Sequence, residues 1–144
     1  MNSIKELLKK HKEDWSLDQD YYHDSSIFTI EKNNIFFDSW IFIGHESQIP
    51  NKGDYFIYKI LNEEIIIVRG KDLKVRAFFN VCRHRGSRIS LEEKGNAKRF
   101  SCPYHAWSYN LEGKLLAAKS LPPDIEKQSL GLHKCGLEVI AGML

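Results

Sequence analysis

No apolar run in the 144 residues approaches the roughly 20 needed to span a membrane. The most apolar window, IFFDSWIFIG at 35–44, is interrupted by Asp38 and Ser39. The N-terminal stretch MNSIKELLKKHKEDW has neither the apolar centre of a secretory signal nor a twin-arginine pair, so a cytoplasmic protein with no membrane partner is expected. Charge of one sign is also lacking. Lys and Arg total 21 against 19 Asp and Glu, and a net charge of +2 gives no electrostatic footprint for nucleic acid. Cysteine is scarce at three residues, an odd number that cannot fully pair, and cytoplasmic thiols stay reduced. Metal binding is the better use for cysteines set beside histidines. Internal repeats and low-complexity tracts are absent.

What is present suffices for one domain. Hydrophobic residues make up 42% and aromatics 12%, and a chain of this length buries roughly 68–70% of its unfolded surface. The opening segment predicts a short helix, with Ser3 and Glu6 at capping-box spacing and Ile4, Leu7, Leu8 and His11 on one stripe. From Tyr21 to Phe42 aromatics are dense, which predicts core or an interface. From Gly53 the texture turns to β. YFIYKI, EIIIVRG and KVRAFFNV read as a meander with turns at 61–63 and 70–72. AKRFSC reads as a further strand, WSYNLEGKLLAA as a hairpin around Glu112-Gly113, SLPPDIEKQSLGL as a loop, and KCGLEVIAGML as a last strand.

Two loops between these strands carry the chemistry. NVCRHRG brings Cys82 and His84 together, and SCPYHAW brings Cys102 and His105 together. One structural zinc could take two thiolates and two imidazoles. Zinc fingers, however, usually pair cysteine with cysteine and histidine with histidine, and a tight Cys-x-His favours ligands that diverge towards two neighbouring metals. A binuclear iron–sulfur cluster, with both thiolates on one iron and both imidazoles on the other, resolves the doubled pattern. A non-redox module with structural zinc is the distant alternative.

C-R-H-R-G followed by C-P-Y-H-A-W resembles the Rieske motif of the large (alpha) subunits of ring-hydroxylating oxygenases. The segments before it (NIFFDSWIFIGHESQIPNKGDYF, IIIVRGKDLKVRAFFNVCRHRG) and the hairpin after it (SYNLEGKLLAAKSLP) are similar to that family as well. The resemblance implies a mostly β Rieske [2Fe-2S] domain of small antiparallel sheets over 44–144, with cluster loops at 82–88 and 102–109. A short helical, aromatic-rich N-terminal arm over 1–43 would precede it. It implies that Cys82 and Cys102 hold the inner iron and His84 and His105 the outer one, with Arg83, Arg85, Gly86, Tyr104, Trp107 and Tyr109 as the cluster's environment.

Several finer readings follow from the same resemblance. Gly86 lets the first loop turn tightly, Pro103 stiffens the second, and Trp107 shields the cluster. Arg83, Arg85 and Arg88 offset the charge of the reduced state or dock an acidic donor, with solvation the alternative for Arg88. Ser87 and Tyr104 stand where respiratory Rieske proteins carry a disulfide, and Trp107 where they carry a serine aimed at a cluster sulfur. Fewer hydrogen bonds to sulfur predict a potential near the low end of the class range of roughly −150 to +300 mV, with Tyr109 still able to reach a cysteine. Ala106 departs from the family's usual glycine, and its methyl is expected to crowd the loop only slightly.

The family's mononuclear Fe(II) site needs a closely spaced histidine pair, and His11, His23, His45 and His133 are far apart. That site belongs to a downstream catalytic domain absent from residues 1–144, so the chain contributes no catalytic residue and no oxygenase activity of its own. The expected function is one-electron transfer to such a domain, in the same or a neighbouring subunit, from a reductase or ferredoxin donor, within a homo-oligomer when full length. A stand-alone ferredoxin-like carrier is the alternative. Cys135, with no histidine neighbour, reads as a small buried hydrophobe.

Overall fold

The computed structural model describes residues 4–119 and 121–144, so Ser3 of the expected capping pair and Ser120 at the head of the proline loop lie outside the described residues. The chain forms two compact units, Met1–Ile41 and Phe42–Leu144.

In the first unit α1 spans Ile4–Lys10, with Glu6 in its first turn and Lys9 and Lys10 in its last, the arrangement that complements a helix dipole. Only Leu7 of the expected stripe is buried; Leu8 is exposed, and His11 lies beyond the helix end. After α2 (Asp20–His23), α3 (Ser25–Glu31) begins where the Asp24 carboxylate accepts from the Ser26 backbone N–H at 2.7 Å. It runs on into a single π-helical turn, Lys32–Phe36. The aromatics of this stretch are not core. Tyr22, Phe28, Phe36, Phe37 and Trp40 are exposed, Trp40 by 75%.

The second unit is built of antiparallel strands: β1 (Asp54–Ile60), β2 (Glu63–Arg69), β3 (Val75–Phe79), β4 (Lys94–Asn96), β5 (Phe100–Ser101), β6 (Ser108–Tyr109), β7 (Leu115–Ala117) and β8 (Lys134–Cys135). Five form one sheet in the order β4-β1-β2-β3-β8, and three form a second in the order β5-β6-β7. The expected meander is β1–β3, with Tyr58 opposite Ile65 and Ile66 opposite Phe78. β2 is buried on both faces because alternate residues point opposite ways. Ile66 and Val68 join a core with Tyr55, Phe78, Phe100 and Tyr109, while Ile65 and Ile67 join another with Ile49, Ala77 and Leu144. Cys82, Cys102 and Trp107 belong to the first of these cores, so the five-stranded sheet is the floor of the cysteine–histidine loops.

Two expected strands shrink. Of AKRFSC only Phe100–Ser101 forms a strand, and of KCGLEVIAGML only Lys134–Cys135, opposite Phe78 and Ala77, with isolated bridges from Met143 to Ile140 and His45. The final residues turn back instead, through Ala141 and Gly142 at positive φ. Gly142 is there for its left-handed φ of +83°; a side chain would also press on the His45 ring. His45 itself caps a 3₁₀ turn at Glu46–Gln48, its Nδ1 accepting from the Ser47 N–H. Cys135 is half-buried against the second core.

Candidate metal centre

The two loops are the same turn built twice. In the first, the Cys82 N–H donates to Ser87 O at 2.8 Å and the Gly86 N–H to Cys82 O at 3.0 Å. In the second, the Cys102 N–H donates to Trp107 O at 2.8 Å and the Ala106 N–H to Cys102 O at 3.0 Å. Both place a left-handed residue at the same position, Gly86 at φ +71° and Ala106 at φ +58°. Gly86 is there for that dihedral, since a Cβ would meet nothing within 4 Å. Ala106 also carries the cost of a backbone conformation that L-residues disfavour. The imidazole sits two residues after the cysteine in the first loop and three after it in the second.

Both cysteines are buried and both histidines half-buried, so the thiols form the inner pair and the imidazoles the outer. The His84 and His105 rings meet edge to face at 4.8 Å. Burial pushes the Cys82 thiol up. At Cys102 burial also acts upward, but backbone amides of Tyr104 and His105 outweigh it and the net direction is down. Desolvation, helped by the charges of His105 and Arg85, lowers His84, which favours the neutral imidazole a metal needs.

His105 Nδ1 is buried with no hydrogen-bond partner. An orphaned buried nitrogen is costly, and coordination to a metal would satisfy it. Two buried thiols and two half-buried imidazoles, one of each on either loop, fit a binuclear iron–sulfur cluster with two donors to each iron.

The sequence-predicted neighbours all frame this pair of loops. Trp107 is buried and stacks on His84 at 4.8 Å, its Nε1–H donating to Lys119 O. Tyr104 lies over His105 at 3.8 Å and is 59% exposed. The Tyr109 hydroxyl accepts from the Arg83 N–H at 3.1 Å, leaving its own proton for Cys82 Sγ at 3.4 Å. Burial foremost, and then Cys82, holds that hydroxyl well above the usual tyrosine range, so it stays a donor. Of the arginines, Arg85 is exposed and Arg83 half-buried. Arg88 is not simply solvated, for it pairs with Glu64 at 3.1 Å.

Sequence reasoning missed Asn80 and Glu64. Asn80 is 1% exposed, and its side chain bonds across the base of the first loop. The available signal was a lone amide in the apolar run AFFNVC.

A family model, the Rieske [2Fe-2S] domain, matches residues 39–132. The chain is 39% identical over 140 residues to the glycine betaine monooxygenase oxygenase subunit of Chromohalobacter salexigens, covering 96% of this chain and 32% of that protein. Among solved structures, the quaternary ammonium Rieske monooxygenase CntA in complex with gamma-butyrobetaine superposes with a TM-score of 0.84 at 37% identity, over 90% of this chain and 38% of that one. Naphthalene 1,2-dioxygenase from Rhodococcus sp. gives 0.86 at 30% identity, over 96% and 33%. The chain spans about a third of the length of these proteins.

Proposed function

The chain belongs to the Rieske [2Fe-2S] domain family, whose cofactor is a Rieske-type cluster, and from this premise we propose that residues 1–144 carry out the electron-transfer step of a longer oxygenase. Cys82 and Cys102, both buried, would hold one iron, and His84 and His105, both half-buried, would hold the other. When bound, such a centre accepts and releases one electron. The chain's own residues set the conditions. The shared core with β2 keeps water from the thiolates, Trp107 and Tyr104 fix the two imidazole planes, and Tyr109 donates to Cys82 Sγ. The Tyr104 ring, exposed and in contact with His105, would leave that side of the centre open to a redox partner. The observation that carries this reading is the duplicated turn, with two buried thiols inside and two half-buried imidazoles outside.

In the whole protein, electrons would come from a reductase or ferredoxin. They would pass to a mononuclear Fe(II) in a catalytic domain of the same or a neighbouring subunit of a cytoplasmic homo-oligomer. The exposed aromatics of the 1–43 arm support this reading over a stand-alone carrier, since a carrier needs only the sheets and loops. The likeness to the glycine betaine and CntA proteins supports a quaternary-ammonium substrate. Reductive titration of the purified chain tests the first step. One electron per chain and a midpoint at the low end of the Rieske range are expected; a midpoint well above 0 mV, or no reducible chromophore, contradicts it. Among the described residues no helix is long and apolar enough to cross a membrane.

A further inference from the structure

The first loop leaves β3 at Asn80 and returns at Ile89 and Ser90, and one side chain closes that gap. Asn80 Oδ1 accepts from the backbone N–H of Ile89 at 3.0 Å and of Ser90 at 2.9 Å. Its Nδ2 donates to Ser90 O at 2.8 Å and to Glu64 Oε2 at 3.0 Å. An amide side chain has two acceptor and two donor places, and all four are used. The Asn80 backbone N–H also donates to Glu64 O at 2.8 Å. The second carboxylate oxygen of Glu64, Oε1, takes Arg88 at 3.1 Å, on the returning limb of the loop. Beyond it, the Ser90 hydroxyl donates to Glu92 O at 3.1 Å and is left to accept from Tyr55 OH at 3.2 Å.

Building on the electron-transfer reading, we infer that Asn80 is a positioning residue. Its buried carboxamide, together with Glu64, clamps the base of the 82–88 loop and so fixes where Cys82 and His84 present their ligand atoms. No shorter or longer side chain reaches all four partners, and aspartate lacks the two donors. The second loop needs no such clamp, because its limbs are the paired strands β5 and β6, with Ser101 opposite Ser108. The first loop has no strand pairing its limbs directly: β3 pairs with β2 and β8, and β4 with β1. The asparagine takes the place of that missing ladder.

The test compares the cluster-loaded chain with Asn80→Asp, Glu64→Gln and the double variant. Asn80→Asp sets two carboxylates against each other and removes both donors. The double variant restores the bond to position 64 with its polarity reversed. The expected result is cluster loss to a chelator about tenfold faster in Asn80→Asp, with shifted EPR g-values of the reduced cluster, and partial recovery of both changes in the double variant, which regains the bond to position 64 but not the one to Ser90 O. A residue that merely stabilised the fold would leave the g-values in place and would not be rescued by the swap. Unchanged behaviour in Asn80→Asp, or a double variant no better than the single, overturns the clamp. Should Asn80→Asp not fold, Arg88→Met removes the outer link at an exposed side chain; about threefold faster cluster loss is then expected, and none overturns the proposal.

A separate arm needs no cluster. In Asn80→Ala the amides of Ile89 and Ser90 should lose about tenfold in exchange protection while those of Ile66 and Val68 keep theirs. Equal loss throughout, or no loss, contradicts the clamp. A parent chain without iron would defeat the functional reading, yet this arm would still decide the role of Asn80.

Discussion

Ala106 occupies, at φ +58°, the loop position where its counterpart Gly86 sits at +71°. A left-handed conformation costs an L-residue roughly 1–2 kcal/mol, offset in part by the greater unfolded-state freedom of glycine. Ala106→Gly should therefore stabilise the chain by up to about 1 kcal/mol in chemical denaturation; a loss of stability would show that the methyl contributes packing the geometry does not reveal. Tyr109→Phe removes the O–H directed at Cys82 Sγ. A hydrogen bond worth about 1 kcal/mol in favour of the reduced form corresponds to roughly 40–50 mV for one electron, so the midpoint should fall by about that amount in voltammetry. An unmoved potential would mean that the hydroxyl serves only the Arg83 amide. The four candidate ligands stood out in the chain because cysteine and histidine carry their chemistry in their identity and their spacing. Asn80 was not, because an asparagine acquires meaning only from partners at positions 64, 89 and 90, which a linear reading does not bring together.

Strands β1 to β3 announced themselves through Ile, Val, Phe and Tyr runs broken by polar turns. β4 did not: Lys94-Gly95-Asn96 is exposed throughout and joins the sheet edge by backbone pairing and the Asn96 side chain, with no apolar residue to announce it. The last strand was overread because an apolar composition does not reveal a reversal at Ala141 and Gly142. The turn between β2 and β3 is fastened by Asp72 and Arg76, whose carboxylate and guanidinium meet at 2.8 and 2.7 Å. That contact holds the Asp72 carboxyl far below its ordinary 3.8. Asp54, hydrogen-bonded by Asn96 where β1 meets β4, is lowered too. A depressed carboxyl stabilises the fold above its unfolded pKa and loses that contribution as pH falls through the folded value. The thermal midpoint should thus decline as pH drops below about 4, and Asp72→Asn should flatten part of the decline. A midpoint independent of pH in the acid range would contradict the assignment of these contacts to the folded state alone.

Taken whole, the molecule joins an exposed aromatic arm to a β unit whose main core ends at four candidate ligands. The fold class and the ligand loops could be read from the sequence. That the arm's aromatics face outward could not, since composition alone does not say which apolar residues lack a partner. The electron-transfer function depends on the two loops sharing two irons, and chemical analysis of the purified chain for iron, acid-labile sulfide and zinc tests that most directly. The account predicts two irons and two sulfides per chain, with both lost when His84 or Cys102 is replaced by alanine. About one zinc per chain, with no sulfide and no colour, would contradict it.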